Sequence, residues 1–431
     1  MDIHVVQPGD TIYTIADRYG VSPDMLIRGN ELQVPVDLVQ GETIVVAYPT
    51  QTYVVKEDDT IETIASSNKI TINELFRNNP FLSDTQYIYP GEVLVIDYNR
   101  IGTVTTHGYT NTYINIDTLR KTLPYLTYLS IFNYRTTRNG ELVITSDDSD
   151  IIQVAKDYGV IPLILMTTLT VQGEVDLEIT YEILINEDSQ NRLFDNIVNV
   201  IKEHGYMGVN ISAQFINTSN QELFDKYASN LSNRLKENGY LTLITINPRI
   251  ETINLNEVSY ERIDYTNIGN LVDFTIFLQY KWGFNFGPPS PVSSLYSISV
   301  FLDYIINQIN KEKIIIGIPT IGYDWELPYV TGFSKASSLS INSVMSLARN
   351  VDAIIEFDEI SQTPHFRYVS IGDSSMHEVW FVNATTINEL LKMLQSDGII
   401  GTGIWNVMSY YTQLWLVINS QYKILKLLPE V

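Results

Sequence analysis

The chain has 431 residues, 50 of them acidic and 27 basic, for a formal net charge of −23. That length predicts roughly two to four domains with a large core, and 45% hydrophobic against 18% charged residues excludes a wholly disordered chain. The acidic balance repels phosphate backbones and anionic lipid, so it argues against nucleic acid and membrane-surface partners; its plain meaning is solubility.

Cysteine is absent, which removes disulfides, thiolate metal sites and a cysteine nucleophile. His4, His107, His204, His365 and His377 form no HExxH-type pair, so neither metal nor cofactor is expected. Residues 1–20 lack the basic start and apolar run of a secretory signal. No stretch approaches the ~18 consecutive apolar residues needed to cross a bilayer. The expectation is a soluble chain made in the cytoplasm.

In chain order, the first feature is an internal repeat. VVQPGDTIYTIADRYGVSPDMLIRGN from Val5 aligns with VVKEDDTIETIASSNKITINELFRNN from Val54 at a constant offset of 49. Asp10, Thr11, Ile12, Ile15, Ala16 and Asn30 recur as Asp59, Thr60, Ile61, Ile64, Ala65 and Asn79. Two modules are expected, over 1–48 and 50–98. Each reads as a short strand (3–6, 53–55), a helix N-capped by Asp10 or Asp59, a second helix after Ser22–Pro23 or Thr71, and a closing strand (43–46, 93–96). Ile12, Ile15, Ala16 and Tyr19 give the first helix one apolar face. A βααβ unit of this size suits a binding module, not an enzyme.

These residues resemble the LysM domain, with its V-x-x-G-D-T start, the Asn ending helix two and the PG turn before the last strand; in the second copy Asp58 replaces the Gly. The resemblance implies binding of N-acetylglucosamine polymers in a groove between loops 8–12 and 28–32, and between 58–61 and 77–81. Asp10, Asn30, Asp59 and Asn79 are the implied binding positions. The alternative is that these side chains only cap and turn the chain.

From residue 103 the pattern becomes apolar strands (103–107, 128–133, 161–166, 207–212, 241–247, 274–279, 314–319, 399–405) separated by amphipathic helices such as 149–158, 190–204, 221–238, 292–309 and 386–395. Near-continuous apolar strands alternating with helices predict an α/β fold, a (β/α)8 TIM barrel over 101–431. A polar interval containing IIEFDEISQTPHFRYVS and HEVWFV predicts a small α+β insertion after strand seven, about 325–382. An open doubly wound sheet is the alternative, but no Gly-rich phosphate turn follows the first strand.

In such barrels the chemistry lies at the C-terminal strand ends. GYMGVNISAQF from Gly205 is similar to the fourth strand of glycoside hydrolase family 18, which ends D-G-x-D-x-D-x-E. DFTIFLQYKWGFNFGPPSPV from Asp273, KIIIGIPTIGYDWELPY from Lys313 and GTGIWNV from Gly401 resemble the family's sixth, seventh and eighth strands, especially in its spore cortex-lytic branch. Paired LysM modules before the barrel are the layout of that branch. The resemblance implies a terminal Glu as general acid and a middle Asp that orients the substrate's acetamido nucleophile and raises the acid's pKa. It also implies a strand-six Tyr on the acetamido oxygen and a strand-eight Trp flooring the pocket.

Carried over residue by residue, the acid position is Gln214 and the orienting position is Ser212. Asn210 and Met207 stand where further aspartates occur. Tyr280 keeps the strand-six Tyr, followed by Lys281 in place of an acid. Trp405, Tyr323 and Asp324 keep pocket-lining types. An amide has no titratable O–H to donate, and general acid–base catalysis contributes about 10²–10⁴-fold. Asp324 or Glu326 is a conceivable displaced acid, against a turn or acceptor role for Asp324. With 11% aromatic residues, Trp282, Phe284, Phe286, Trp325 and Tyr329 are either sugar subsites or packing.

The sequence therefore predicts a protein binding peptidoglycan or a chitin-like glycan, with a barrel that has lost hydrolysis. The branch resemblance implies a place in the spore coat or cortex and spore coat proteins as further partners. The competing reading is an active N-acetylglucosaminidase acting on cortex fragments.

Overall fold

The computed structural model describes residues 1–85, 87–168, 176–213, 215–248, 250–254, 257–278, 287–370, 372 and 374–430. At the N-terminus, strand Asp2–Val5 pairs antiparallel with Thr43–Val46 and encloses helices Ile12–Tyr19 and Pro23–Gly29. Val6, Ile12, Ile15, Ala16, Leu26, Ile44 and Val46 form its core. The repeat builds the same unit: Pro49–Val54 against Val93–Tyr98, with helices Ile61–Asn68 and Ile72–Asn78.

The helix N-caps lie one residue beyond the expected aspartates. Thr11 and Thr60 take that place, each hydroxyl accepting from the N–H three residues on, while Thr14 and Thr63 accept in return from the cap N–H at 2.9 Å. A hydroxyl at both ends closes this reciprocal pair. Asp10 and Asp59 instead accept from the N–H of Gln7 (2.8 Å) and Lys56 (2.7 Å), three residues back, and so fix the strand-to-helix turn. In that turn Gly9 has φ 85° and Asp58 φ 68°. The second module thus keeps a left-handed turn without glycine, which an aspartate tolerates better than most side chains.

Eight parallel strands follow: Gly102–Asn111, Tyr128–Thr136, Ile161–Thr167, Gly208–Ser212, Leu241–Ile246, Phe274–Phe277, Ile314–Pro319 and Gly401–Trp405. Each pairs with the next, and the last pairs with the first, through Gly401↔Thr105 to Ile404↔Gly108. That closing ladder makes a (β/α)8 barrel and excludes the open sheet. Alternate residues fill the interior, among them Tyr109, Tyr128, Leu163, Leu165, Leu243, Ile276 and Ile315. Room inside is short: a Cβ at Gly208 would lie 2.3 Å from Leu241 O. The opposite strand faces are covered by helices such as Glu187–His204 and Gln221–Glu237, whose buried stripes include Leu193, Ile197, Phe224 and Leu231.

After the seventh strand comes a five-stranded antiparallel sheet in the order Ser337–Ser340, Ile321–Leu327, Met376–Trp380, Thr363–Val369, Glu356–Asp358, with helix Ile341–Asn350 against it. It begins at Ile321, earlier than the 325 expected, because the chain turns directly from one strand into the next. The hairpin Ile250–Asn254 with Glu257–Tyr260 is a further addition. Among the described residues no helix is long and apolar enough to cross a membrane.

Candidate functional site

The fourth barrel strand ends at Ser212, and strand alternation puts Asn210 and Ser212 on the same, inward face. Asn210 is fully buried. Its amide donates to Ser130 Oγ at 3.0 Å, its Oδ1 accepts from Thr245 Oγ1 at 2.8 Å, and Thr245 meets the Tyr109 hydroxyl at 2.7 Å. His107 Nε2 joins Ser130 Oγ at 2.9 Å. Burial pushes the His107 pKa down to about 3 and pushes the Tyr109 phenol up, so both are neutral near pH 7. Among the described residues, this hydrogen-bonded centre contains no carboxylate. Ser212 sits just above it, opposite Thr245 in the ladder and 7% exposed.

Trp405, last in the eighth strand, packs its ring 5.1 Å from that of Tyr109 and is half-buried at the interior end of the strand. It joins the barrel-interior aromatic group as the strand pattern requires. Gln214, Tyr280 and Trp282 lie outside the described residues, as do Phe284 and Phe286.

Tyr323 and Trp325 stand on one face of the first insertion strand, buried and packed with the barrel interior. The Trp325 indole donates to Gly287 O at 3.0 Å. Asp324 and Glu326 alternate with them and occupy the other face. Asp324 bonds Tyr368 (2.8 Å) and His377 (3.0 Å) there, so neither carboxylate is offered to the barrel mouth from this strand. The displaced-acid alternative, and Asp324 as a pocket-lining residue, are corrected on that geometry.

Sequence reading missed a carboxylate on the mouth-facing side. Glu378 is the register partner of Trp325 and 6% exposed. It accepts from the Trp380 indole at 2.8 Å and from Arg367 at 3.0–3.1 Å, and His365 stacks on Trp380 at 4.3 Å. Both Glu378 oxygens are thus engaged by donors. The signal was present in HEVWFV, where Glu378 and Trp380 stand two apart in a strand.

In the modules, Asn30 and Asn79 are buried clamps. Asn30 Nδ2 donates to Leu26 O and Val45 O, and Oδ1 accepts from Val45 N–H at 2.8 Å; Asn79 repeats this with Leu75 and Val95. Their polar atoms are turned inward to the backbone, which corrects them as side-chain contacts to a ligand. Asp10 additionally bonds His4 (2.8 Å) and Arg18 (3.1 Å), and Asp59 the Tyr53 hydroxyl (2.9 Å).

The loops 28–32 and 77–81 reach the barrel. Glu31 takes Lys121 and Thr412, each at 2.6 Å. Arg77, buried, donates to Pro124 O at 2.8 Å and pairs with Glu430 at 3.4 Å. Burial holds its pKa below the ordinary arginine value. Between modules, the Arg28 guanidinium lies 5.1 Å over the Phe81 ring, beside a cavity of about 610 Å³ also lined by Glu92, Tyr98 and Tyr410.

Comparison with known proteins agrees with this architecture. The LysM domain model matches residues 4–47 and 53–97, and the model of glycosyl hydrolases family 18 matches residues 110–409. The chain is 26% identical to the cortical fragment-lytic enzyme of Bacillus anthracis and 28% identical to that of Bacillus subtilis (strain 168), each alignment covering 99% of both chains. The crystal structure of the Bacillus cereus spore cortex-lytic enzyme SleL superposes with a TM-score of 0.79 at 27% identity over 99% of both chains. Two LysM modules and a closed barrel matched over most of its length place this chain in glycosyl hydrolase family 18.

Proposed function

We propose that this chain binds an N-acetylglucosamine-containing glycan of the spore envelope, peptidoglycan or a chitin-like polymer, and that its barrel no longer hydrolyses it. One observation carries the reading: where the family's sequence pattern has carboxylates, this chain has Asn210, Ser212 and Gln214. The first two belong to or adjoin a neutral hydrogen-bonded network. Without a proton donor the glycosidic oxygen leaves as an unactivated alkoxide, and without an orienting carboxylate the acetamide is a weaker nucleophile. Hydroxyl, amide and the Trp405 ring still bind sugar. Ground-state recognition then outlives turnover.

Full-length similarity to cortical fragment-lytic enzymes favours the second reading, an active N-acetylglucosaminidase. The spore coat or cortex as the site of action, and coat proteins as partners, belong to the same proposal. Sedimentation of the full chain with insoluble peptidoglycan tests it. Retention on the pellet without release of soluble fragments supports binding alone; no retention contradicts it, and release of fragments supports the second reading.

A further inference from the structure

On the insertion sheet, away from the barrel mouth, two strand side chains and the residue before one of those strands form one line of hydrogen bonds. Ser375 Oγ lies 2.9 Å from His377 Nε2, and His377 Nδ1 lies 3.0 Å from Asp324 Oδ1. Ser375 immediately precedes strand Met376–Trp380, in which His377 is the second residue. Asp324 comes from the neighbouring strand, where Glu326 is the register partner of His377. The second carboxylate oxygen accepts from Tyr368 Oη at 2.8 Å, and the Tyr368 ring stacks on the imidazole at 4.8 Å and 27°. The side chains of His377 and Asp324 are 18% and 13% exposed. The ring is therefore held by stacking on one side and by a fixed acceptor at Nδ1. With the Nδ1 proton directed at Asp324, Nε2 is left as an acceptor aimed at the Ser375 hydroxyl.

This is the connectivity that activates a serine: nucleophile bonded to base, base bonded to an orienting carboxylate. We propose that Ser375 is the nucleophile and His377 the general base of a second, acyl-transfer site, with Asp324 as positioning residue, that cleaves small carboxylic esters of alcohols such as O-acetyl groups on a sugar. Ser375 Oγ attacks the ester carbonyl carbon, forming the serine ester bond as its proton passes to His377 Nε2. The carbon–oxygen bond to the alcohol then breaks and the alcohol departs with that proton. Water attacks the acyl-serine, giving its proton to Nε2; the free acid leaves and Ser375 Oγ regains the proton. Water is the only co-reactant.

The Ser375 carbonyl accepts from Ser370 N–H at 2.8 Å. The residue is half-buried, immediately before strand Met376–Trp380. The site lies on the face opposite Tyr323 and Trp325, so it stands or falls independently of the barrel's activity.

The full chain is incubated with a fluorophosphonate probe, the labelled residue is located by peptide mass spectrometry, and p-nitrophenyl acetate hydrolysis is followed in parallel. The expected result is labelling at Ser375, lost together with ester turnover in Ser375→Ala. His377→Gln slows labelling by about 100-fold or more. Asp324→Asn slows it at least tenfold, Asp324→Glu recovers part of the rate, and the thermal unfolding midpoint of each variant checks that the sheet is intact. Ser375→Cys provides a second route, since a thiol beside His377 alkylates with iodoacetamide faster than the same cysteine in Ser375→Cys/His377→Gln. Label elsewhere or nowhere, turnover unchanged in Ser375→Ala, or equal alkylation of the two cysteine variants would overturn the proposal.

Discussion

Thr245 donates its hydroxyl to Asn210 Oδ1 at 2.8 Å across adjacent barrel strands, and the same asparagine holds Ser130 at 3.0 Å. The centre of the barrel is therefore built from neutral groups bonded to one another, although His107 Nδ1 is buried without a partner. Replacing Asn210 with Leu leaves the hydroxyls of Ser130 and Thr245 short of a buried partner. The expected cost is about 2–4 kcal/mol, read as a lowered unfolding midpoint of the barrel in calorimetry. An unchanged midpoint would mean the network is incidental.

Asn30 and Asn79 make the same three backbone bonds in their two modules. Alanine at either position strands the N–H of Val45 or Val95 and the facing carbonyls. Each substitution should cost about 2–3 kcal/mol, confined to its own module. Amide hydrogen exchange at Val45 and Val95 reads this directly: Asn30→Ala accelerates the first and leaves the second unchanged.

Asp10 has its pKa lowered by the hydrogen bond from the Gln7 backbone first, then by His4, with Arg18 adding a smaller effect. A carboxyl depressed in the folded state contributes stability that is present above its unfolded pKa and lost as pH falls through the folded one. Local opening of the first module should therefore rise as pH drops below the ordinary aspartate range. Asp10→Asn should flatten that dependence, measured by exchange at Ala16 across an acid series.

Much of this was legible in the sequence, for identifiable reasons. The repeat fixed both βααβ modules because the apolar spacing of Ile12, Ile15 and Ala16 and the turn residues all agree. The strand runs such as 314–319 were readable because parallel barrel strands are apolar on both faces. Local chemistry was harder to see. Thr11 rather than Asp10 caps the first helix because a reciprocal hydroxyl pair with Thr14 outcompetes the carboxylate, a choice decided by a side chain three residues away. Asp324 was expected in the pocket, yet strand alternation within an antiparallel insertion turns it to the opposite face from Tyr323. Glu378 was overlooked because its relation to Trp325 is a cross-strand register, and register between distant segments is not written in either segment alone.

Trp405 is the proposed apolar floor of a sugar site in the barrel. Trp405→Ala should weaken binding of an N-acetylglucosamine tetramer by about tenfold, as expected for losing one ring-face contact, measured by titration calorimetry of the full chain. Retained affinity would move recognition entirely to the modules.

The proposed loss of hydrolysis carries its own prediction. Ser212→Asp together with Gln214→Glu puts carboxyl groups at the proposed orienting and acid positions, and the pair should gain turnover that neither single change gives, because the acid and the orienting group act as a unit. The most direct test of the whole account is reducing-end release from cortex fragments or chitooligosaccharide by the unaltered protein, run beside this double variant. The account predicts no release above background from the unaltered chain and measurable release from the variant. Turnover by the unaltered chain at the level of the double variant would contradict it.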